Sequence, residues 1–247
     1  MKFEPNEGSG SMNFGISDAE LELRKSLHEG ETPISDRLFH CIFGGTLAWG
    51  FLMNVLLVNT CSGPMVRLMY SMGGSTGMIV IMLVYIACAV AGAKLIRSAG
   101  LITSFLGFNL IAVPVGLLVS VAVYAYDAQL VLHALVLTLL ATSVMTLMGA
   151  LFPQFFHGLG RLLAISLAAC VFSSLVCMLF FRSWSFGMYD WIVAGLMCLY
   201  IGYDWSRLSV CARTANNAVD LAANMYLDMV NLFLRILRIL ARNQRRD

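Results

Sequence analysis

The sequence predicts an all-α integral membrane protein, a bundle of seven transmembrane helices. Three observations carry that expectation. Of the 247 residues, 59% are hydrophobic and only 12% are charged, whereas soluble domains are about 45–50% apolar and about 25% charged. Mean hydropathy is +0.80. The apolar residues gather in runs long enough to cross a bilayer, which leave no room for a second, soluble domain. A soluble enzyme is excluded on these grounds. The net charge of +2 offers no basic field for phosphates, so nucleic-acid binding is excluded as well.

Residues 1–37 are polar and mostly acidic, carry no signal-peptide core, and read as a cytoplasmic tail. Ser17-Asp18-Ala19-Glu20 forms a capping box ahead of Leu21, Leu23 and Leu27, which predicts a short surface helix near 18–28. The membrane domain then covers 38–241. Its apolar runs are 38–58, 77–93, 102–124, 130–152, 162–181, 186–203 and 219–240, each close to the roughly 20 residues a span requires. Pro64, Pro153, Gly63, Gly100, Gly158 and Gly160 punctuate the joints. Gly92, Ala93, Gly107, Gly116, Gly149, Ala168, Ala169 and Gly195 suit close helix packing in lipid. Pro114 lies inside the third run and predicts a kink that could act as a hinge. Residues 242–247 form a basic tail.

The positive-inside rule puts the N-terminus in the cytoplasm. Lys2, Arg24, Lys25, Arg37, Lys94, Arg97, Arg161, Arg207 and Arg213 then share one side, against Arg67 and Arg182 on the other. Seven full crossings would leave Arg242, Arg245 and Arg246 outside; a re-entrant seventh segment would keep them in. The C-terminal side stays open at this level.

The seven cysteines, Cys41, Cys61, Cys88, Cys170, Cys177, Cys198 and Cys211, are scattered without a C-x-x-C pair. They read as small buried hydrophobes, not as a disulfide framework or a zinc site. Only His40 and His133 lie in or beside apolar runs, so haem is not expected. Gly73-Gly74-Ser75-Thr76-Gly77 satisfies G-x-S-x-G but lacks the preceding strand that a nucleophile elbow needs. It reads as a flexible turn.

The seventh run carries the main chemistry. Asp220, Asn224, Asp228, Asn231, Arg235, Arg238 and Arg242 follow one another at steps of three or four residues, which places them on one helical face. Surface helices favour Lys and Arg along the whole polar face. Here the middle of the stripe is acidic and amidic, so the bundle interior, facing an aqueous path, is the expected home.

A second aspartate, Asp204, closes the sixth run, and Asn216 lies midway between it and Asp228 in Arg213-Thr214-Ala215-Asn216-Asn217. With the turn at Asn216, an antiparallel hairpin sets both aspartates about 12–15 Å up their helices, near half-depth of a hydrocarbon core about 30 Å thick. A central Asp costs about 2.5–3.5 kcal/mol. Sharing a proton, pairing with a cation or opening onto water would offset this. Two close carboxylates cannot both ionise cheaply, so the pair is expected to titrate in coupled steps. Their oxygens also suit hard cations. Ca²⁺ takes about 6–8 oxygen ligands, more than two aspartates supply, which favours weak and exchangeable binding.

The run from Ala222 through Asn224, Tyr226, Asp228 and Asn231 to Phe233, followed by Leu237-Arg238, resembles the last-helix signature of the Bax inhibitor family. Tyr203-Asp204 is similar to the aromatic-Asp pair that closes that family's sixth helix, and the interval between the aspartates agrees. His133-Ala134 with Thr138 resembles the fourth-helix pattern, where Glu or Gln is commoner than His. The resemblance runs from residue 38 onward. It implies seven helices with the last surrounded by the first six, and a pH-sensitive Ca²⁺ leak controlled by an aspartate pair. On that basis Asp204 and Asp228 share a proton or a metal ion, and a second-helix arginine latches the closed state. Lys94 and Arg97 both flank the end of the second run, and either matches that arginine. Arg238 matches a family position and Arg235 adds charge beyond it. Arg207, one turn after Asp204, departs from the neutral polar residue usual there and puts the family's pH set-point in doubt for this chain.

The expectation is thus a pH-sensitive calcium (cation) leak channel, not an enzyme. Asp204, Asp228, Lys94, Arg97, Arg207, Arg238 and His133 are its proton-sensing or gating candidates, with His133 either a second sensor or a packed polar group. Asp220, Asn224 and Asn231 line its path. No tightly bound cofactor is expected; Ca²⁺ is a permeant or weakly bound ion. The expected partners are the lipid bilayer, Ca²⁺, protons and another membrane protein. The alternatives are a proton-coupled transporter, weakened by the lack of an inverted repeat, and a non-conducting membrane regulator. The short loops point to a bacterial inner (plasma) membrane, with the endoplasmic reticulum as the alternative.

Overall fold

The computed structural model describes residues 32–97, 100–180 and 187–244. The expected helix near 18–28 lies outside them. The described residues form seven helices in chain order: α1 (Asp36–Ser71), α2 (Ser75–Ile96), α3 (Leu101–Tyr124), α4 (Ala128–Leu151), α5 (Pro153–Phe180), α6 (Gly187–Leu208) and α7 (Ala215–Gln244). In lipid a helix satisfies every backbone group within its own segment, so apolar runs of this length fold this way. Five helices, α1 to α5, are long and apolar enough to cross a membrane. α6 and α7 fall short of that measure because they carry Asp190, Asp204 and Arg207, and Asp220, Asp228, Arg235, Arg238 and Arg242.

Local chemistry sets the helix ends. Ser35 caps α1 by accepting from the Leu38 N–H, and Asp127 caps α4 from its own side chain. Thr214 caps α7 through the Asn217 N–H at 3.2 Å. Gly73 and Gly74 turn the chain between α1 and α2 at φ +88° and +61°, a region open to glycine at little cost. The G-x-S-x-G segment is this turn and the first turn of α2. Pro153 opens α5, where its missing N–H costs nothing.

Several expected joints are instead helix interior. Pro64 and Gly63 lie within α1, which continues to Ser71, well past the expected end of its run at 58. Gly158 and Gly160 lie within α5, while Pro114 lies inside α3 as its run implied. A proline in a membrane helix is tolerated where neighbouring groups take up the freed backbone.

Polarity is reversed relative to a soluble protein. Leu83, Leu106, Leu140, Phe155 and Ile165 are exposed on the outside, while Ser104, Ser120, Asp190, Asp204, Ser206 and Arg207 are buried. The apolar exterior is what a bilayer solvates. Two cores lie within it. Phe39, Phe156, Leu163 and Ile201 share one with Leu221, Met225 and Leu232 of α7. Phe108, Ile111 and Val115 share the other with Val219, Tyr226, Val230 and Phe233 of α7. α7 packs against α1, α2, α3, α4 and α6.

Small residues bring some helices together closely. A Cβ at Gly92 would meet the Gly107 carbonyl at 2.6 Å where α2 crosses α3, and one at Gly149 would meet the Gly202 backbone where α4 crosses α6. Gly195, with open space around it, and the exposed Ala168 and Ala169 do not serve this purpose. Nor are the cysteines uniformly buried. Cys211 is; Cys41 is exposed, and Cys61, Cys88, Cys170 and Cys198 are half-buried.

α6 and α7 run antiparallel along their whole lengths: Arg242, in the last turn of α7, bonds Asp190, in the first turn of α6. At their other end Arg213, in the connecting loop, pairs with Asp36 of α1 at 2.8 Å. The start of α1 and the end of α6 therefore share one face of the bundle. The far end of α7 lies at the opposite face, so within the described residues α7 does not double back.

Candidate functional site

A cavity of about 520 Å³ lies between α2 and α7, with Leu167 of α5 and Tyr200, Tyr203, Asp204 and Arg207 of α6 in its wall. α7 presents Asp220, Asn224, Asp228 and Asn231 to it, and the exposed Arg97, which caps the end of α2, also lines it. The spacing explains this face: steps of three and four residues stack side chains along one side of a helix. Asp204 is 4% exposed and Arg207 8%. Asp204 of α6 and Asp228 of α7 line the same cavity, close enough for their carboxyls to interact electrostatically.

Arg207 completes the group. Its Nη1 stands 3.4 Å from Asp204 Oδ1, and its guanidinium lies over the Tyr203 ring, 5.4 Å from the centroid. Arginine keeps its charge in protein interiors. The cavity thus holds three carboxyl groups, from Asp204, Asp220 and Asp228, and two guanidiniums, from Arg97 and Arg207. Among the described residues, no cluster of three or more His, Cys, Asp or Glu has metal-holding geometry.

The pair meets, but not by the equal-depth geometry expected from a turn at Asn216. Asn216 belongs to the first turn of α7, where it lies 3.0 Å from the Ser104 hydroxyl of α3. The connecting loop comes earlier, before Ala215. Asp204 therefore stands only about one turn, about 6 Å, from the end of α6, and Asp228 more than three turns into α7. The pair thus lies near the end of α6 but close to the middle of α7.

The other sequence candidates divide. Arg97 reaches the cavity; Lys94, exposed on α2, does not line it. His133 is exposed on α4 and does not line it either; its neighbour Ala134 is the residue of that turn buried in the core. The polar stripe itself splits. Its first half lines the cavity, while Arg235, Arg238 and Arg242 converge on Asp190 at 3.0, 3.1 and 2.6 Å. Arg238 is thus an ion-pair partner of Asp190, away from the aspartate pair.

Two features escaped sequence reasoning. Asp190 is one; its signal was its distance from the turn, since Asp190 and Arg238 are equidistant from Thr214. The other is a polar core contact in which the buried Tyr226 hydroxyl donates to Asn54 Oδ1 at 2.8 Å, linking α7 to α1. That pairing left no sequence signal, because Tyr226 sits on the apolar face of the α7 pattern.

Comparison with known proteins follows the same residues. The family described as "Inhibitor of apoptosis-promoting Bax1" matches residues 38–246. The chain is similar to "BI1-like protein" of Arabidopsis thaliana, 33% identical over 135 residues, which are 53% of this chain and 52% of that protein. It is also similar to "Protein LIFEGUARD 3" of the same plant, 30% identical over 123 residues, 48% of this chain and 49% of that protein. The chain spans about half the length of the curated relatives it matches. No solved structure matches it.

Proposed function

This chain belongs to the Bax inhibitor family, and from that premise we propose that it is a pH-sensitive cation leak channel of a multi-pass membrane domain, with Ca²⁺ as its permeant ion. The observation that carries the reading is that Asp204 and Asp228, from two different helices, face one polar cavity. Intramembrane ionisable groups that pair across helices mark ion or proton paths. All seven helices cross, with α7 central among its neighbours and the N-terminus cytoplasmic.

When the pair shares a proton it is bridged and needs no cation. Loss of that proton as pH rises leaves two carboxylates whose repulsion a cation relieves. Four carboxylate oxygens fall short of the roughly 6–8 that Ca²⁺ prefers, so Asn224, Asn231 and water complete the shell and exchange stays fast. Arg97 acts as the latch from α2. Cation entry displaces it and moves α7 relative to α6.

The test is Ca²⁺ uptake into proteoliposomes carrying the full chain, from about pH 6 to about pH 8, the interval a coupled carboxyl pair can span. Wild type should admit more Ca²⁺ as pH rises, and Asp228→Asn should flatten that response. Equal flux and equal pH response in the two would overturn the reading. Uptake that needs a co-substrate and moves protons with it would replace it by a proton-coupled transporter.

A further inference from the structure

We propose that Arg235, Arg238 and Arg242, gathered around Asp190, form a binding site for the phosphate group of an anionic phospholipid, at the face of the bundle where α6 begins and α7 ends. This site is separate from the carboxylate cavity and does not rest on ion conduction.

Charge is the first argument. Arg235 and Arg238 place their Nη1 atoms 3.0 and 3.1 Å from the same oxygen, Asp190 Oδ1, and Arg242 Nη2 lies 2.6 Å from Oδ2. Both oxygens of the carboxylate are occupied, yet it balances only one of three positive charges. Guanidiniums held this close repel one another, and a second anion relieves that repulsion. Each guanidinium has five N–H donors in a planar fork that matches phosphate oxygens, and Asp190 uses one from each.

Access and depth argue for a lipid. The Arg238 side chain is 51% exposed and those of Arg235 and Arg242 about a quarter, whereas Asp190 is 3% exposed. The carboxylate is thus an interior organiser, and the arginines are the exposed surface. Next to Asp190 in the chain, Trp191 is 64% exposed, and Tyr189 lies under Arg235, its ring centroid 5.3 Å away. Trp and Tyr concentrate at the headgroup level of a bilayer. A basic pocket between helices at that level selects anionic headgroups.

The test uses the full chain purified from bilayers of phosphatidylcholine and phosphatidylglycerol with matched acyl chains, with retained lipid counted by native mass spectrometry. Wild type should retain phosphatidylglycerol in clear excess over phosphatidylcholine. Arg238→Gln should lower that excess about tenfold, the factor set by one lost charge-assisted contact. Arg238→Lys should keep part of it, and unchanged helix content in both variants separates lost binding from lost folding. Equal retention of the two lipids by wild type, or an unaltered excess in folded Arg238→Gln, would overturn the proposal. So would displacement of the retained lipid by millimolar inorganic phosphate, which would identify a soluble-anion site.

Discussion

Arg207 stands 3.4 Å from Asp204, one turn along the same helix, so the carboxylate pair carries a counter-charge supplied by its own element. Bax-inhibitor resemblance alone places a neutral residue near this position. A tethered guanidinium, permanently charged and 8% exposed, competes with any cation that approaches Asp204.

Replacing it should therefore strengthen cation entry. Arg207→Gln is expected to raise Ca²⁺ uptake at the alkaline plateau by roughly threefold to tenfold, the effect of up to about 1.4 kcal/mol of lost competition. Arg207→Lys should lie between the two, since lysine keeps the charge but not the planar stacking on Tyr203. Uptake assays on the two variants at one fixed calcium concentration decide it. No rise in Arg207→Gln would remove Arg207 from the ion path.

The crossing of α2 and α3 should tolerate no side chain. A Cβ at Gly107 would stand 2.7 Å from the Gly92 carbonyl and 2.8 Å from the Ile96 N atom, and backbone cannot give way as a flexible side chain does. Gly107→Val is expected to destabilise by about 1–3 kcal/mol, as overpacking does, and to shift the end of α2 that carries Arg97. Thermal unfolding in detergent measures the first effect. A variant as stable as wild type would mean that the two helices are free to separate.

The Tyr226–Asn54 contact should be worth about 1 kcal/mol or somewhat more. Tyr226→Phe removes the hydroxyl that donates to Asn54 at 2.8 Å and leaves a buried amide oxygen short of its donor. The ring's edge contacts with Phe51 and Phe108 remain, so packing is held constant. Comparison with Asn54→Ala and the double variant isolates the pair energy. Additive losses would show that the two groups do not interact.

The apolar runs and the polar stripe made most of the fold legible in advance, because lipid imposes one rule on every spanning residue. What escaped were features decided between helices. Pro64 looked like a terminator, since proline breaks isolated helices, yet α1 continues through it to Ser71. Asn216 reads as the turn because it lies midway between the two aspartates, whereas Thr214 caps α7 two residues earlier and Asn216 bonds Ser104 of α3. The steps of three and four residues from Asp220 to Arg242 put seven residues along one helical face. They could not show that the face meets two different neighbours, a cavity in its first half and Asp190 in its second. For the same reason Arg97 and Lys94 were equivalent in sequence and are not in space.

Asp190 is the keystone of the second half, and its removal should be felt more than that of any one arginine. Asp190→Asn leaves three guanidiniums facing a neutral amide that can accept at one oxygen only. Breaking a buried pair costs about 3–5 kcal/mol, and the partial exposure of all three arginines places the expected loss at or below the lower bound, about 2–3 kcal/mol. Arg238→Gln removes the most exposed partner, relieves repulsion between the remaining two, and should cost less than about 1 kcal/mol. Unfolding midpoints of the two variants in detergent give the comparison. If Asp190→Asn is no less stable than Arg238→Gln, the carboxylate does not hold the start of α6 against the end of α7, and the antiparallel pairing of these helices rests on their apolar contacts alone.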